Sequence, residues 1–267
     1  MTIVAVVGDA TTTSAVALAA GWSAGDDVVV LEADPGGGSL AGWLDTPVHP
    51  SLASMVANVG TGHDRRSVLE TFDTMTHRSD SGVRFVANAV RARAAHRAVE
   101  EAAITVLPAI AAAPITVIAD TGAHRPGQTP SPALRVADVV VIVHRQATSS
   151  AAAATVRIER LVETVEELAH LDADHVLAVI GGTPFEPAEI GAFVGQSVPD
   201  TLQATAAVAD DPLTAAAIAG RSGVSAKRLR RLPLMRDGTR LAGVVSELVD
   251  ARRRAHVGDR FAEEPTT

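Results

Sequence analysis

Six short segments of the chain are almost wholly apolar: residues 2–7 (Thr-Ile-Val-Ala-Val-Val), 28–34, 83–87, 115–119, 137–144 and 175–180, with a seventh, weaker run near 202–208. Stretches of helical composition separate them, at 14–24, 91–112, 155–171, 184–198, 211–220 and 238–254, while 39–80 reads as helix and loop. A strand that is apolar on every side chain must be covered on both faces. Parallel pairing through helical crossovers is the arrangement that does this. The expected fold is therefore α/β, a doubly wound and mainly parallel sheet of about seven strands with helices on both faces. No repeat or linker interrupts the alternation, so residues 1–255 are expected to form one domain, and residues 256–267 a polar, disordered tail.

Composition narrows the function. At 47% hydrophobic and 20% charged residues a full core is available, and with 3% aromatics and no tyrosine it must be built from Ala, Val, Leu and Ile. The absence of cysteine excludes disulfides, thiolate catalysis and cysteine-held zinc. The first seven residues carry no basic segment, so no signal peptide is expected, and no apolar run approaches the roughly 18 residues of a membrane span. The expectation is a cytoplasmic protein. Of its 23 basic residues, 22 are arginine and one is lysine, Lys227, so any lysine-dependent chemistry in the N-terminal half is excluded.

In an open α/β sheet, ligands sit beyond the carboxyl ends of the strands. The informative segments are thus Gly8–Ser14, Glu32–Gly38, Asp120–Gly122, Arg145–Thr148 and Gly181–Thr183. Three of them read, in order, strand, Gly8-Asp9-Ala10-Thr11-Thr12-Thr13, helix; strand, Glu32-Ala33-Asp34-Pro35-Gly36-Gly37-Gly38-Ser39-Leu40; strand, Asp120-Thr121-Gly122. This order resembles the MinD/ParA family of deviant Walker-A, P-loop ATPases along nearly the whole chain. The second segment, similar to the family's D-x-D-P-x-G-G-x-L, is the most specific match. Within the family the chain is similar to a group of actinobacterial MinD-like proteins, which implies a place near pilus or secretion machinery.

The resemblance implies roles for individual positions. Asp34 falls where the family positions its attacking water, and Thr12 and Asp120 fall on the Mg²⁺ threonine and the Walker-B-like aspartate. Gly8, Asp9, Ala10, Thr11, Thr12 and Thr13 fall on what remains of the phosphate loop. ATP and Mg²⁺ are the cofactors implied; the residues themselves point to none. Three departures stand against them. A P-loop cradles phosphate with successive backbone N–H groups and a lysine, yet Thr11 stands at the lysine position, and the family's signature lysine with its two glycines is missing. Asp9 adds a negative charge. The adenine-holding Asn-Arg of many members is replaced by Gly181-Gly182-Thr183. The reading is of a degenerate member that does not hydrolyse ATP and acts as a positioning or interaction module for a membrane-associated pilus, secretion or division assembly. An active ATPase with an unusual phosphate loop is the alternative.

Three further features are legible. Residues 221–256 hold ten basic side chains (Arg221, Lys227, Arg228, Arg230, Arg231, Arg236, Arg240, Arg252, Arg253 and Arg254) against three acids, a net +7 on a chain whose remainder carries −15. Such a patch suits an acidic partner, nonspecific DNA or an anionic membrane surface. The small-residue run Ala147–Ala154 permits close helix approach, and the resemblance implies a face-to-face homodimer; a plain helix start capped by Thr148 or Ser149 explains it equally. His124 and His144 sit where they can converge on the carboxyl edge of the sheet. No G-x-S-x-G or G-x-G-x-x-G pattern supports a hydrolase or a dinucleotide site.

Overall fold

Alternation of side chains along each strand organises the molecule. On β1 (Thr2–Gly8), Ile3, Ala5 and Val7 point into one apolar layer, and Val4 and Val6 into the other. The structure, a computed structural model, describes residues 2–22, 27–59, 64–111, 113–220 and 226–262. After β1 come α1 (Thr11–Gly21), β2 (Val28–Glu32), α2 (Leu40–Trp43), α3 (Leu52–Val59), α4 (Arg65–Thr74), β3 (His77–Arg78), β4 (Arg84–Val86), α5 (Ala92–Thr105) and α6 (Leu107–Ile110). Then follow β5 (Thr116–Asp120), α7 (Pro132–Arg135), β6 (Val139–Arg145), α8 (Ala151–Leu168), β7 (Asp174–Ile180), α9 (Pro187–Ser197), β8 (Leu202–Val208), α10 (Pro212–Ile218), α11 (Ala226–Leu229) and α12 (Pro233–Ala262).

Among the described residues the strands form one eight-stranded sheet in the order β3-β4-β2-β5-β1-β6-β7-β8, parallel throughout except for the β3–β4 pair. Helices α3 to α9 supply the apolar side chains of one layer, and α1, α2, α10, α11 and α12 those of the other. The doubly wound expectation holds. The added strand is β3, two residues long, which gives no apolar run to detect. The expected helix at 91–112 is two helices, broken where Pro108 enters the first turn of α6. The last helix continues to Ala262, beyond the expected end at residue 254.

The topology places the carboxyl ends. From β1 the chain crosses through α1 to β2 on one side, and from β6 it crosses through α8 to β7 on the other. The two helices cover opposite faces, so the ends of β1 and β6 flank the crevice where such sheets bind ligands. In register, Glu32, Asp120 and Val6 lie abreast, and Gly8 pairs with Val143.

Candidate functional site

Only Asp9 and Ala10 separate β1 from α1. Gly8 has φ +115°, and a Cβ there would meet the Val143 carbonyl, so the close approach of the β6 backbone requires glycine. The Gly8 N–H donates to the Gly122 carbonyl (3.1 Å) and the Asp9 N–H to the Val143 carbonyl (2.9 Å). Ala10 is left-handed at φ 50° and offers no side-chain cap to α1. The Asp9 carboxylate turns toward α8, where Oδ2 accepts from Arg157 Nη2 (2.9 Å) and from the Arg145 N–H (3.1 Å). Arg145 in turn reaches Asp210 beyond β8 with a two-pronged contact at 2.8–3.2 Å.

The acidic residues assemble on the other side of this loop. Asp120, 1% exposed, accepts from the Thr12 hydroxyl at Oδ2 (2.6 Å) and from the Gly122 N–H at Oδ1 (3.3 Å). Burial raises its pKa, opposed by the hydroxyls of Thr11 and Thr12. Asp34, half-buried, accepts from the Gly36 N–H (2.6 Å), and burial raises its pKa also. Its carboxyl group lies against Gly122, which is glycine because φ is +71° and a Cβ would enter that carboxyl. The expected pair Thr12 and Asp120 is thus in contact, and Asp34 shares Gly122 with Asp120. A hydroxyl and a carboxylate so placed are the oxygen donors that suit Mg²⁺.

Glu32 is 1% exposed and takes three backbone donors: Ser39 N–H (2.5 Å) and Leu40 N–H (2.7 Å) at Oε1, and Asn88 N–H (2.8 Å) at Oε2. These pin the start of α2 and the chain beyond β4 to the end of β2. Burial raises its pKa, and the three N–H groups work against that. Gly38 is glycine because a Cβ would lie 2.6 Å from the Asn88 carbonyl and 2.7 Å from Glu32 Oε2. The Gly-rich segment that carried the resemblance is therefore packed around a buried acid.

Gln146 was not singled out in the sequence. Its side chain donates to the carbonyls of Gly181 (2.9 Å) and Phe185 (2.8 Å) and accepts from the Phe185 N–H (3.1 Å), stitching the loop after β7. The cap of α8 is Ser150, one residue past those expected. Of the basic patch, Arg221 and the side chain of Lys227 lie outside the described residues. Arg228, Arg230, Arg231 and Arg254 are exposed. Arg252 bonds Asp172 (2.5 Å), and Arg253 donates to the Thr2 hydroxyl (2.7 Å), so both tie α12 to the amino side of the sheet. No group of histidine and acidic side chains among the described residues has the geometry of a metal cluster. No described helix is long and apolar enough to cross a membrane.

No protein-family profile matches the chain, and no curated protein matches it. Solved structures do. A ParA family ATPase from Chlorobium tepidum TLS superposes with a TM-score of 0.63 at 12% identity, over 90% of this chain and 97% of that one. The septum site-determining protein MinD from Pyrococcus horikoshii OT3, complexed with Mg-ADP, gives 0.60 at 16% identity over 93% and 97%. A MinC:MinD cell division complex from Aquifex aeolicus gives 0.57 at 12% identity over 92% and 96%. The chain has the P-loop NTPase-like fold of the ParA and MinD ATPases.

Proposed function

We propose that this chain is a degenerate member of the MinD/ParA type, which does not hydrolyse ATP and serves as an interaction module positioning a partner in a membrane-associated assembly of the pilus, secretion or division kind. One observation carries this reading: the turn from β1 into α1 is tied to neighbouring segments of the chain. The N–H of Gly8, the last residue of β1, is held by the Gly122 carbonyl and that of Asp9 by the Val143 carbonyl, and the turn's one charged side chain is Asp9, paired with Arg157. A phosphate cradle needs those N–H groups pointing at the ligand, and a cation beside them. The loop after β7, where many members of the family hold adenine, is stitched by Gln146 instead. The MinC:MinD neighbour supports a protein partner for this fold. The exposed start of α8, Ala151 to Ala153, is the surface on which a homodimer would meet.

The Thr12–Asp120 contact favours a second reading, an ATPase with an unusual loop in which Thr12 and Asp120 hold Mg²⁺ and Asp34 orients water. Thermal shift and turnover with Mg-ATP separate the two. No saturable stabilisation and no turnover is the expected result; turnover that disappears in Asp34→Ala overturns it. Retention on DNA at low salt, falling steeply as salt rises, would instead assign Arg228, Arg230, Arg231 and Arg254 to nonspecific DNA binding.

A further inference from the structure

The two edges of the sheet end differently. β3 is two residues long and carries an arginine, and both shortness and charge keep another strand from pairing. β8 forms the other edge with seven residues, Leu-Gln-Ala-Thr-Ala-Ala-Val, and has neither charge nor proline. The Gly181 N–H donates to the Val208 carbonyl (3.0 Å), and Ala204, Ala206 and Val208 stand opposite Val176, Ala178 and Ile180. Backbone groups along a strand point alternately to its two sides. Those of Thr205 and Ala207 therefore point off the sheet, and both residues are exposed. A bulge takes Gln203 out of the ladder at the start of the strand, and just past its end the Ala209 N–H is taken by Asp237 (3.0 Å). Among the described residues no segment pairs with the outer side of β8.

The surroundings of this edge select what fits there. α9 packs over one face of β8 and α12 over the other. Glu189 and Phe193 of α9 line a groove with Thr155 and Ile158 of α8. At helical spacing the opposite side of α9 is then Ala188, Gly191, Ala192 and Gly195. Thr205 lies where a Cβ on Gly191 would sit, and the space beside Gly195 is open. That side of α9 has no long side chain to overhang the edge, so another backbone can come close. Strand edges that select a foreign peptide add pockets for its alternate side chains. The small, uncharged residues of β8 offer no such handle, but they suit a copy of themselves. An antiparallel pair about a two-fold axis at Ala206 sets Thr205 opposite Ala207 of the partner subunit, with about four hydrogen bonds across the axis. In that register Asp200 and Asp210, which flank the strand, fall opposite Pro212 and Leu202, so no like charges meet.

We propose that β8 is a dimerisation edge, at which two copies of this chain pair antiparallel and join their sheets into one. It uses neither the crevice nor the exposed start of α8, so it stands or falls independently of the function proposed above. One strand pair with its flanking helix sides is a small interface, and the dimer dissociates in the micromolar range. The test follows the full chain by sedimentation equilibrium across that range, with residue-resolved amide exchange at both ends of it. A monomer–dimer equilibrium is expected. The Thr205 and Ala207 amides should exchange slowly in the dimer and fast in the monomer, while those of Ala204, Ala206 and Val208 stay slow in both. This wild-type arm stands without any variant. Thr205→Lys/Ala207→Lys, altered only at exposed positions, should dimerise about tenfold more weakly or worse, because like charges then face each other across the axis. Thr205→Glu/Ala207→Glu should do the same, and mixing the two charged variants should restore a dimer with one copy of each. Ala152→Arg, at the start of α8, should leave the equilibrium unchanged. A monomer at every concentration, a dimer whose Thr205 and Ala207 amides stay unprotected, a dimer lost in Ala152→Arg, or charged variants that each dimerise as wild type does overturns the proposal.

Discussion

The two halves of the crevice at the carboxyl edge differ in what became of their polar groups. On the acidic side, Glu32, Asp34, Asp120 and Thr12 are gathered within a few residues of Gly122, each acid with an N–H or hydroxyl donor. On the phosphate-loop side the Gly8 and Asp9 N–H groups are bonded to carbonyls of neighbouring segments, and Asp9 is matched by an arginine from α8. Buried carboxylates that accept backbone N–H groups hold loops in place whether or not a nucleotide is present. A phosphate cradle has no comparable role without phosphate. The acids can therefore persist as structure while the cradle is replaced by contacts within the chain.

Substitutions break this comparison in graded steps. Glu32→Ala removes the acceptor of three backbone N–H groups in a site closed to water. At about 1–3 kcal/mol for each unsatisfied group, a loss above roughly 3 kcal/mol in urea unfolding is expected. Gly122→Ala follows, because φ of +71° and the Asp34 carboxyl both oppose a side chain. A loss of about 2 kcal/mol is expected, partly recovered when Asp34→Ala is added, since the pair should couple in a double-mutant cycle. Arg157→Ala breaks a pair that is about two-fifths exposed on both sides, so solvent screening limits its effect to about 0.5–1 kcal/mol. It should leave the Thr12–Asp120 side unmoved.

The smallest effect is one of pH. Burial raises the pKa of Asp120, so the folded chain binds the proton more readily than the unfolded one. Its contribution is present below the unfolded value of 3.8 and is lost as pH rises through the folded value. Asp120→Asn should then gain stability over wild type near neutrality and lose that gain toward acid, with the Thr12 contact kept by the amide. Burial lowers His144 and His175 from 6.5. Their contribution is present above that value and is lost as pH falls through their folded values, so the wild-type curve should decline in acid, where Asp120→Asn has no advantage. Stability measured by urea unfolding across this range checks both signs.

Much of the fold was legible because its strands are apolar on both faces, which left seven runs that could be read one by one. The two-residue β3 offered no such run. α1 starts at Thr11 rather than residue 14, since three threonines read as turn when they in fact form the first helical turn. What the sequence made legible was local: an aspartate just past the end of β2 and threonines at the head of α1. The site was not legible where partners are distant. Arg157 lies 148 residues from Asp9, and Gln146 lies 35 from Gly181. The one signal available was the aspartate itself, a charge beside Gly8. Glu32 stands at the first acidic position of the segment similar to D-x-D-P-x-G-G-x-L, and its three N–H partners, one of them 56 residues away, fasten that segment internally.

The central claim is that the loop after β1 is bonded to neighbouring segments and does not receive phosphate. Its most direct test is a titration of the full chain with Mg-ATP, followed at the backbone amides of Gly8 to Thr13. The expected result is that these resonances stay in place while ATP rises to millimolar levels. Saturable shifts at Thr11 to Thr13 that disappear in Asp120→Ala would contradict it, and would place nucleotide and metal in the crevice after all.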